Sequence, residues 1–129
     1  MPPTDVVYYT ETDGSVPVDE WLVELRRRDQ RAAEKCLAQI GLLRRMGHEL
    51  RRPIADYLRD GVYELRARVG RSQHRILYFF YRREFAVLVH ALTKERKVPP
   101  KEIERAIMRM KFFKEDPARH TYREESSDG

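Results

Sequence analysis

Three strand-like runs that follow one another closely limit the possible folds more than any other feature of the sequence. They are Val62–Val69, Gln73–Tyr81 and Phe85–Thr93, and only three residues separate each run from the next. Gaps this short favour hairpins, so the runs predict an antiparallel meander. The first run alternates apolar and polar residues, whereas the other two are apolar on both faces. We therefore expect other elements to cover both faces of the sheet.

Apolar residues at helical spacing precede the meander. Pro17 stands where a helix can begin without losing a hydrogen bond, and a second helix is expected from about Asp29 to Met46, with Gly47 as its C-terminal cap. Two helices this close together indicate an αα-hairpin. The apolar face of the first helix consists of Val18, Trp21, Leu22 and Leu25.

The remaining segments complete the predicted order. Val6–Tyr9 is a short β-type run, residues 49–60 look irregular because of Pro53, and Pro99-Pro100 opens a last helix. The resulting order, β-α-α-β-β-β-α, predicts an α+β domain with a small twisted sheet packed against helices. We assign residues 1–114 to this single domain and residues 115–129 to a polar, acidic tail.

Positive charge is concentrated in one part of the chain. Residues 51–114 hold 17 Lys and Arg against 7 Asp and Glu, a net of +10, whereas residues 1–50 and 115–129 have net charges of −2 and −3. A folded surface with this distribution attracts polyanions, and nucleic acid is the first candidate. The competing interpretation is a generic basic protein with a solvated surface.

Several classes of protein are disfavoured. Cys36 is the one cysteine, so neither a disulfide framework nor a cysteine metal site is expected. The sequence contains no glycine-rich phosphate loop, no HExxH motif and no nucleophile elbow. It shows no signal-peptide pattern, and its apolar runs are too short to span a bilayer. We expect a cytoplasmic protein without a metal, a cofactor or a membrane partner.

Basic side chains recur along the three strands and directly after them. In a meander they can converge at one end and on one face of the sheet. Arginine can clamp a phosphate through two hydrogen bonds, and lysine acts as a point charge. The sequence therefore predicts a phosphate-binding surface, and its candidate residues are Arg66, Arg68, His74, Arg75, His90, Lys94, Arg96 and Lys97.

Metal-free cleavage of RNA would use such a surface. The 2′-hydroxyl must lose a proton, the crowded phosphate needs cations, and the 5′-oxygen must gain a proton. Arg66, Arg75 and Lys94 are the candidate cations. Spacing does not choose among three candidate proton carriers, which are His90, His74 and Tyr78.

Each of these residues also has a structural interpretation. Tyr78 stands in the apolar run RILYFFY and is more typical of a core, and His90 stands in VLVHAL, where a strand histidine usually has its hydrogen bonds satisfied. Arg66 or Arg75 can form an ion pair with Glu64 on the strand face.

Four motifs in order resemble a known group. They are LRDGVYELR at 58–66, HRILYFF at 74–80, VHALTK at 89–94 and VPPKEIERA at 98–106. In this order and spacing the chain resembles the HigB-type, phage-derived branch of the RelE/ParE toxin superfamily over residues 5–114. One departure is Glu64, which stands where some RelE relatives carry a basic catalytic residue.

The resemblance implies a function. Such toxins are endoribonucleases that cut mRNA on the ribosome and inhibit translation, and an antitoxin, often a helix-turn-helix protein of the HigA type, silences them in a hetero-oligomer. Carried over by motif, Arg66, Arg75 and Lys94 match basic residues that face the mRNA. His90 is added as a catalytic candidate, with Arg68, His74, Arg96 and Lys97 as RNA-binding candidates.

Two alternatives belong to other functional classes. The ParE branch shares the scaffold but poisons DNA gyrase without cutting RNA, and a fold does not fix a function. A degenerate toxin that serves as a nucleic-acid-binding regulatory partner is the other alternative. Cleavage of messages would distinguish the endoribonuclease from both alternatives. DNA-damage signalling would identify the gyrase poison.

Overall fold

The computed structural model describes residues 3–94 and 96–124. Its elements follow the predicted order, with one strand added before the meander and one near the C-terminus. The helices are α1 (Pro17–Arg28), α2 (Gln30–Met46) and α3 (Pro100–Glu115). The strands are β1 (Asp5–Tyr9), β2 (Ala55–Arg59), β3 (Val62–Val69), β4 (Ser72–Tyr81), β5 (Phe85–Thr93) and β6 (Thr121–Tyr122).

The strands form one sheet in the order β2-β3-β4-β5-β1-β6. The meander predicted for β3, β4 and β5 is confirmed, and β1 adds to it in parallel beside β5. The irregular segment predicted for residues 49–60 is wrong in part, because Ala55–Arg59 forms the edge strand β2. Asp60-Gly61, both at positive φ, form the turn that folds this segment back onto β3.

Helices cover both faces of the sheet, as the apolar strands predicted. On one face α1 and α2 enclose a core with β-strand residues Leu65, Ile76 and Leu88. On the other face α3 packs on Leu77, Phe79 and other alternate residues of the same strands. Because side chains alternate along a strand, neighbouring residues of β3, β4 and β5 belong to different cores. The α+β class is confirmed.

The helical hairpin is confirmed, and local capping explains its bounds. Asp29 leaves α1 and caps α2, since its carboxylate accepts a hydrogen bond from the Ala32 amide at 3.1 Å. Gly47 ends α2 with φ of +52°. Within the residues that the structure describes, no helix combines the length and apolarity needed to cross a bilayer.

The start of the predicted tail returns to the sheet. After α3, His120 donates its backbone amide to Pro117, and β6 pairs with Tyr8 and Tyr9 of β1. The ring of His120 stacks on Tyr9, with centroids 5.1 Å apart. The structured chain therefore extends past 115, and the last part of the predicted tail, 125–129, lies outside the described residues.

Candidate phosphate-binding site

A row of alternating charges crosses the sheet on the face that α3 packs against. We call it the ion-pair ladder, and it consists of Arg52, Asp56, Arg66, Glu64 and Arg75. Asp56 accepts from Arg52 at 2.9 Å and lies 3.5 Å from Arg66, whose Nε donates to Glu64 at 2.5 Å. The ladder has three cations and two anions, so its excess charge is small.

Glu64 is the centre of the ladder. Its side chain is 2% exposed, and one carboxylate oxygen accepts from both Arg66 and Arg75. These two arginines are direct cross-strand partners in the register of β3 and β4. Like charges that face one another across a sheet repel, so the buried carboxylate holds together a pair that would otherwise separate. In the sequence, this ion pair was only a competing interpretation of Arg66 and Arg75.

Arg75 points inward. Besides Glu64, its guanidinium donates to the carbonyl of Lys94 at 3.2 Å and to the carbonyl of Arg96 at 3.0 Å. The side chain is only 7% exposed. Arg75 therefore fixes the segment that joins β5 to α3, and little of its surface is open to a phosphate.

Three cations on that segment face solvent. Lys94, Arg96 and Lys97 are all exposed and follow β5 directly. Arg66 is the exposed member of the central pair, with 27% of its side chain accessible. Arg75 ties this segment to the ladder, because it binds both the Glu64 carboxylate that holds Arg66 and the backbone carbonyl of Lys94. Of the predicted surface, the structure thus joins Arg66, Arg75 and the backbone of Lys94.

His90 lies apart from the ladder. The register places buried Leu77 between Glu64 and His90 on the same face. The Nε2 of His90 is 2.9 Å from Glu102, and its Nδ1 is 3.1 Å from Nη1 of Arg109. Because arginine only donates, Nδ1 accepts and the ring carries its proton on Nε2.

The surroundings of His90 keep it neutral. Burial lowers its pKa, and Arg109 acts in the same direction, although the bond to Glu102 opposes them. The bond to His90 lowers the pKa of Glu102, which stays ionised. Arg109 also donates to the carbonyl of Val89 at 2.7 Å. The cluster fastens α3 to β5, which fits the interpretation of His90 as a satisfied strand histidine.

His74 lies on the opposite face, so the prediction that it converges with Arg75 is wrong. Successive residues of a strand point to opposite sides, and His74 directly precedes Arg75. It is buried beside Trp21, and its Nδ1 is 2.9 Å from the hydroxyl of Thr93. Burial lowers the pKa of His74. Tyr78 is also buried in the helical-hairpin core, where burial raises its pKa, so it is a packing residue.

Arg68 shares the strand face of Arg66, as predicted, but lies nearer the end of the strand. It is exposed near the end of β3, where it lines a surface groove with residues of α2. The partners of the ladder and of His90 were missed by sequence reasoning. Asp56 stood in a segment interpreted as irregular, whereas Glu102 and Arg109 stood in a predicted helix, where a charge run usually indicates a solvated face.

Metal-ligating side chains do not gather anywhere in residues 3–94 and 96–124, where no group of three His, Cys, Asp or Glu could hold an ion. The described site offers the guanidinium groups of Arg66 and Arg96 and the ammonium groups of Lys94 and Lys97.

Comparison with known proteins gives one family. The model of the family described as Phage derived protein Gp49-like matches residues 20–111, which include most of α1, all of α2, the whole meander and most of α3. A search of curated proteins gives no match. The matched range contains every member of the ion-pair ladder and all the predicted site residues.

Proposed function

Since the chain belongs to the Gp49-like family of phage-derived proteins, part of the RelE/HigB-like toxin superfamily, we propose that it is the toxin of a type II toxin–antitoxin system and cuts mRNA on the ribosome. A helix-turn-helix antitoxin would silence it in a hetero-oligomer. The proposal includes a metal-independent endoribonuclease activity and a cytoplasmic location.

The observation that carries the proposal is the position of Arg66 and Lys94. Arg66 is partly exposed and shares the Glu64 carboxylate with Arg75, and Arg75 donates to the backbone carbonyl of the exposed Lys94. A guanidinium that Glu64 holds in place before the substrate arrives stabilises developing charge without reorganisation at the moment of reaction. A phosphodiester bound here would meet the guanidinium of Arg66 and the ammonium group of Lys94.

These residues supply one part of the chemistry. The 2′-oxygen of the RNA attacks the adjacent phosphorus, the bond from phosphorus to the 5′-oxygen breaks, and a 2′,3′-cyclic phosphate forms. One proton leaves the 2′-hydroxyl and another reaches the 5′-oxygen. Arg66 and Lys94 stabilise the negative charge that accumulates on the phosphate oxygens during this exchange. Arg75 is a positioning residue, because its donors are engaged within the protein.

The test compares message cleavage by the wild type and by Arg66→Ala and Lys94→Ala variants. RNA ends are mapped after induction in cells that carry a translated message and the same message without its start codon. We expect cuts in the translated copy alone, and each variant should cut about tenfold to a hundredfold less, since a hydrogen bond to a charged group contributes about 1.5–3 kcal/mol.

A matched control is Lys114→Ala with Arg119→Ala, which removes two exposed cations near the end of α3. It should cut like the wild type. An intact, folded protein that leaves translated messages uncut would overturn the proposal. DNA-damage signalling without cleavage would instead support the gyrase alternative.

A further inference from the structure

The cations of the ion-pair ladder are largely neutralised, but a second set, between the start of α2 and the end of β3, is not. A groove of about 420 Å³ lies between the first turns of α2 and the end of β3. Its lining residues are Arg31, Glu34, Lys35, Arg68, Val69 and Gly70. Arg71 follows Gly70 in the exposed turn between β3 and β4.

The positive charge of this groove is available to a ligand. Within the part of the chain that the structure describes, no carboxylate lies within ion-pair distance of Arg31, Lys35 or Arg68. The lining carboxylate, Glu34, accepts a hydrogen bond from the amide of Gln30 at 3.2 Å. Arg66 and Arg75, in contrast, share a buried carboxylate.

The fold produces this arrangement from two distant segments. Arg31 and Lys35 are four residues apart, so they lie on one face of α2, about 6 Å apart along its axis. Arg68 comes from β3, and α2 packs against that strand. The sequence grouped Arg68 with the strand cations, and only the packing of α2 on β3 brings it into one groove with Arg31 and Lys35.

We propose that this groove binds the phosphate backbone of a nucleic-acid double helix. Its lining has three cations, one carboxylate and no aromatic ring, so it offers a net positive charge but no stacking surface for the bases of a single strand. A duplex presents dense phosphates on a rigid surface and requires no base contact. This binding is separate from the proposed cleavage site, and it does not depend on cleavage.

The probe is a 20-base-pair RNA duplex, whose binding to the full chain is measured by fluorescence anisotropy between 50 and 200 mM salt. The test variant carries Arg31→Ala, Lys35→Ala and Arg68→Ala. We expect at least tenfold weaker binding at low salt. The slope of log affinity against log salt should fall by about 2.7, since each neutralised phosphate contributes about 0.9.

The matched control carries Lys111→Ala, Lys114→Ala and Arg119→Ala. These changes remove three exposed cations that lie in or after α3, outside the groove. It should keep most of the affinity. Equal losses in the two variants would show that net charge alone binds the duplex and would overturn the proposal. Tighter binding of a polyglutamate peptide than of the duplex would also overturn it, in favour of an acidic protein partner.

Duplex binding and message cleavage are measured separately, so the two proposals can fail separately. A chain that binds the duplex but leaves translated messages uncut would retain this groove and lose the proposed toxin activity. A chain that cuts messages without measurable affinity for the duplex would retain the proposed toxin activity and overturn the proposed duplex-binding groove.

Discussion

At the scale of single residues, one buried carboxylate determines what the basic strand residues can do. Glu64 pairs with both Arg66 and Arg75, and it leaves Arg66 partly exposed while Arg75 is turned inward. The sequence predicted which residues carry charge on this face. It did not predict their accessibility, because that depends on which neighbour across the sheet supplies the counter-charge.

The first prediction concerns Glu64→Gln. The change leaves two guanidinium groups beside a neutral amide in a buried site, and breaking a buried ion pair costs about 3–5 kcal/mol. We expect the free energy of unfolding, measured by urea titration, to fall by about that amount. Glu84→Gln, at an exposed turn, is the control and should change it by about 0.5 kcal/mol or less. A loss below about 1 kcal/mol for Glu64→Gln would contradict this account of the ladder.

At the scale of elements, strong periodicity identified the helices and the meander, whereas the two short strands were missed. β2 is an edge strand with a mixed polar sequence, and it forms because the Asp60-Gly61 turn returns the chain to β3. β6 is two residues long and exists only through its pairing with β1. Neither strand has a local signal, since tertiary partners select both.

The second prediction concerns the end of α2. Gly47 was predicted as a cap, but a close neighbour adds a second constraint. A Cβ at position 47 would collide with the Thr4 hydroxyl, and the amide of Thr4 donates to Arg44 of the same helix at 2.8 Å. Gly47→Ala therefore combines backbone strain with a clash, and we expect it to lower the free energy of unfolding by about 3 kcal/mol.

Gly70→Ala is its matched control. Gly70 has φ of +61°, and a Cβ there would meet nothing within 4 Å. This variant carries the strain alone, which costs about 1–2 kcal/mol. If chemical denaturation gave equal losses in the free energy of unfolding for the two variants, the clash with Thr4 would contribute nothing to the effect at position 47.

At the scale of the whole molecule, the sequence predicted the layers correctly but not where every site residue lies. Alternation along β4 places His74 and Arg75 on opposite faces, and packing of α3 removes His90 from the ladder. Such separations depend on the register and on which flank of a helix a residue occupies. A motif in the sequence contains neither.

The third prediction concerns the edge strand β6, which covers the outer edge of β1. Removal of residues 117–129 uncovers the outer edge of β1, because β6 pairs there. An open edge invites pairing with another chain. We expect the melting temperature to fall by about 5 °C or more and larger species to appear in size-exclusion chromatography. Removal of residues 125–129 alone is the control. An identical melting temperature for both truncations would contradict a stabilising role for the pairing of β6 with β1.

The place of β1 between β5 and β6 also limits the order in which the chain can fold during synthesis. β1 is made first, but its neighbours are β5 and β6, and the second of these belongs to the last part of the chain. The meander, in contrast, uses pairings that are close in sequence, which form early. β1 can therefore complete its pairings only after the meander and α3 have been made.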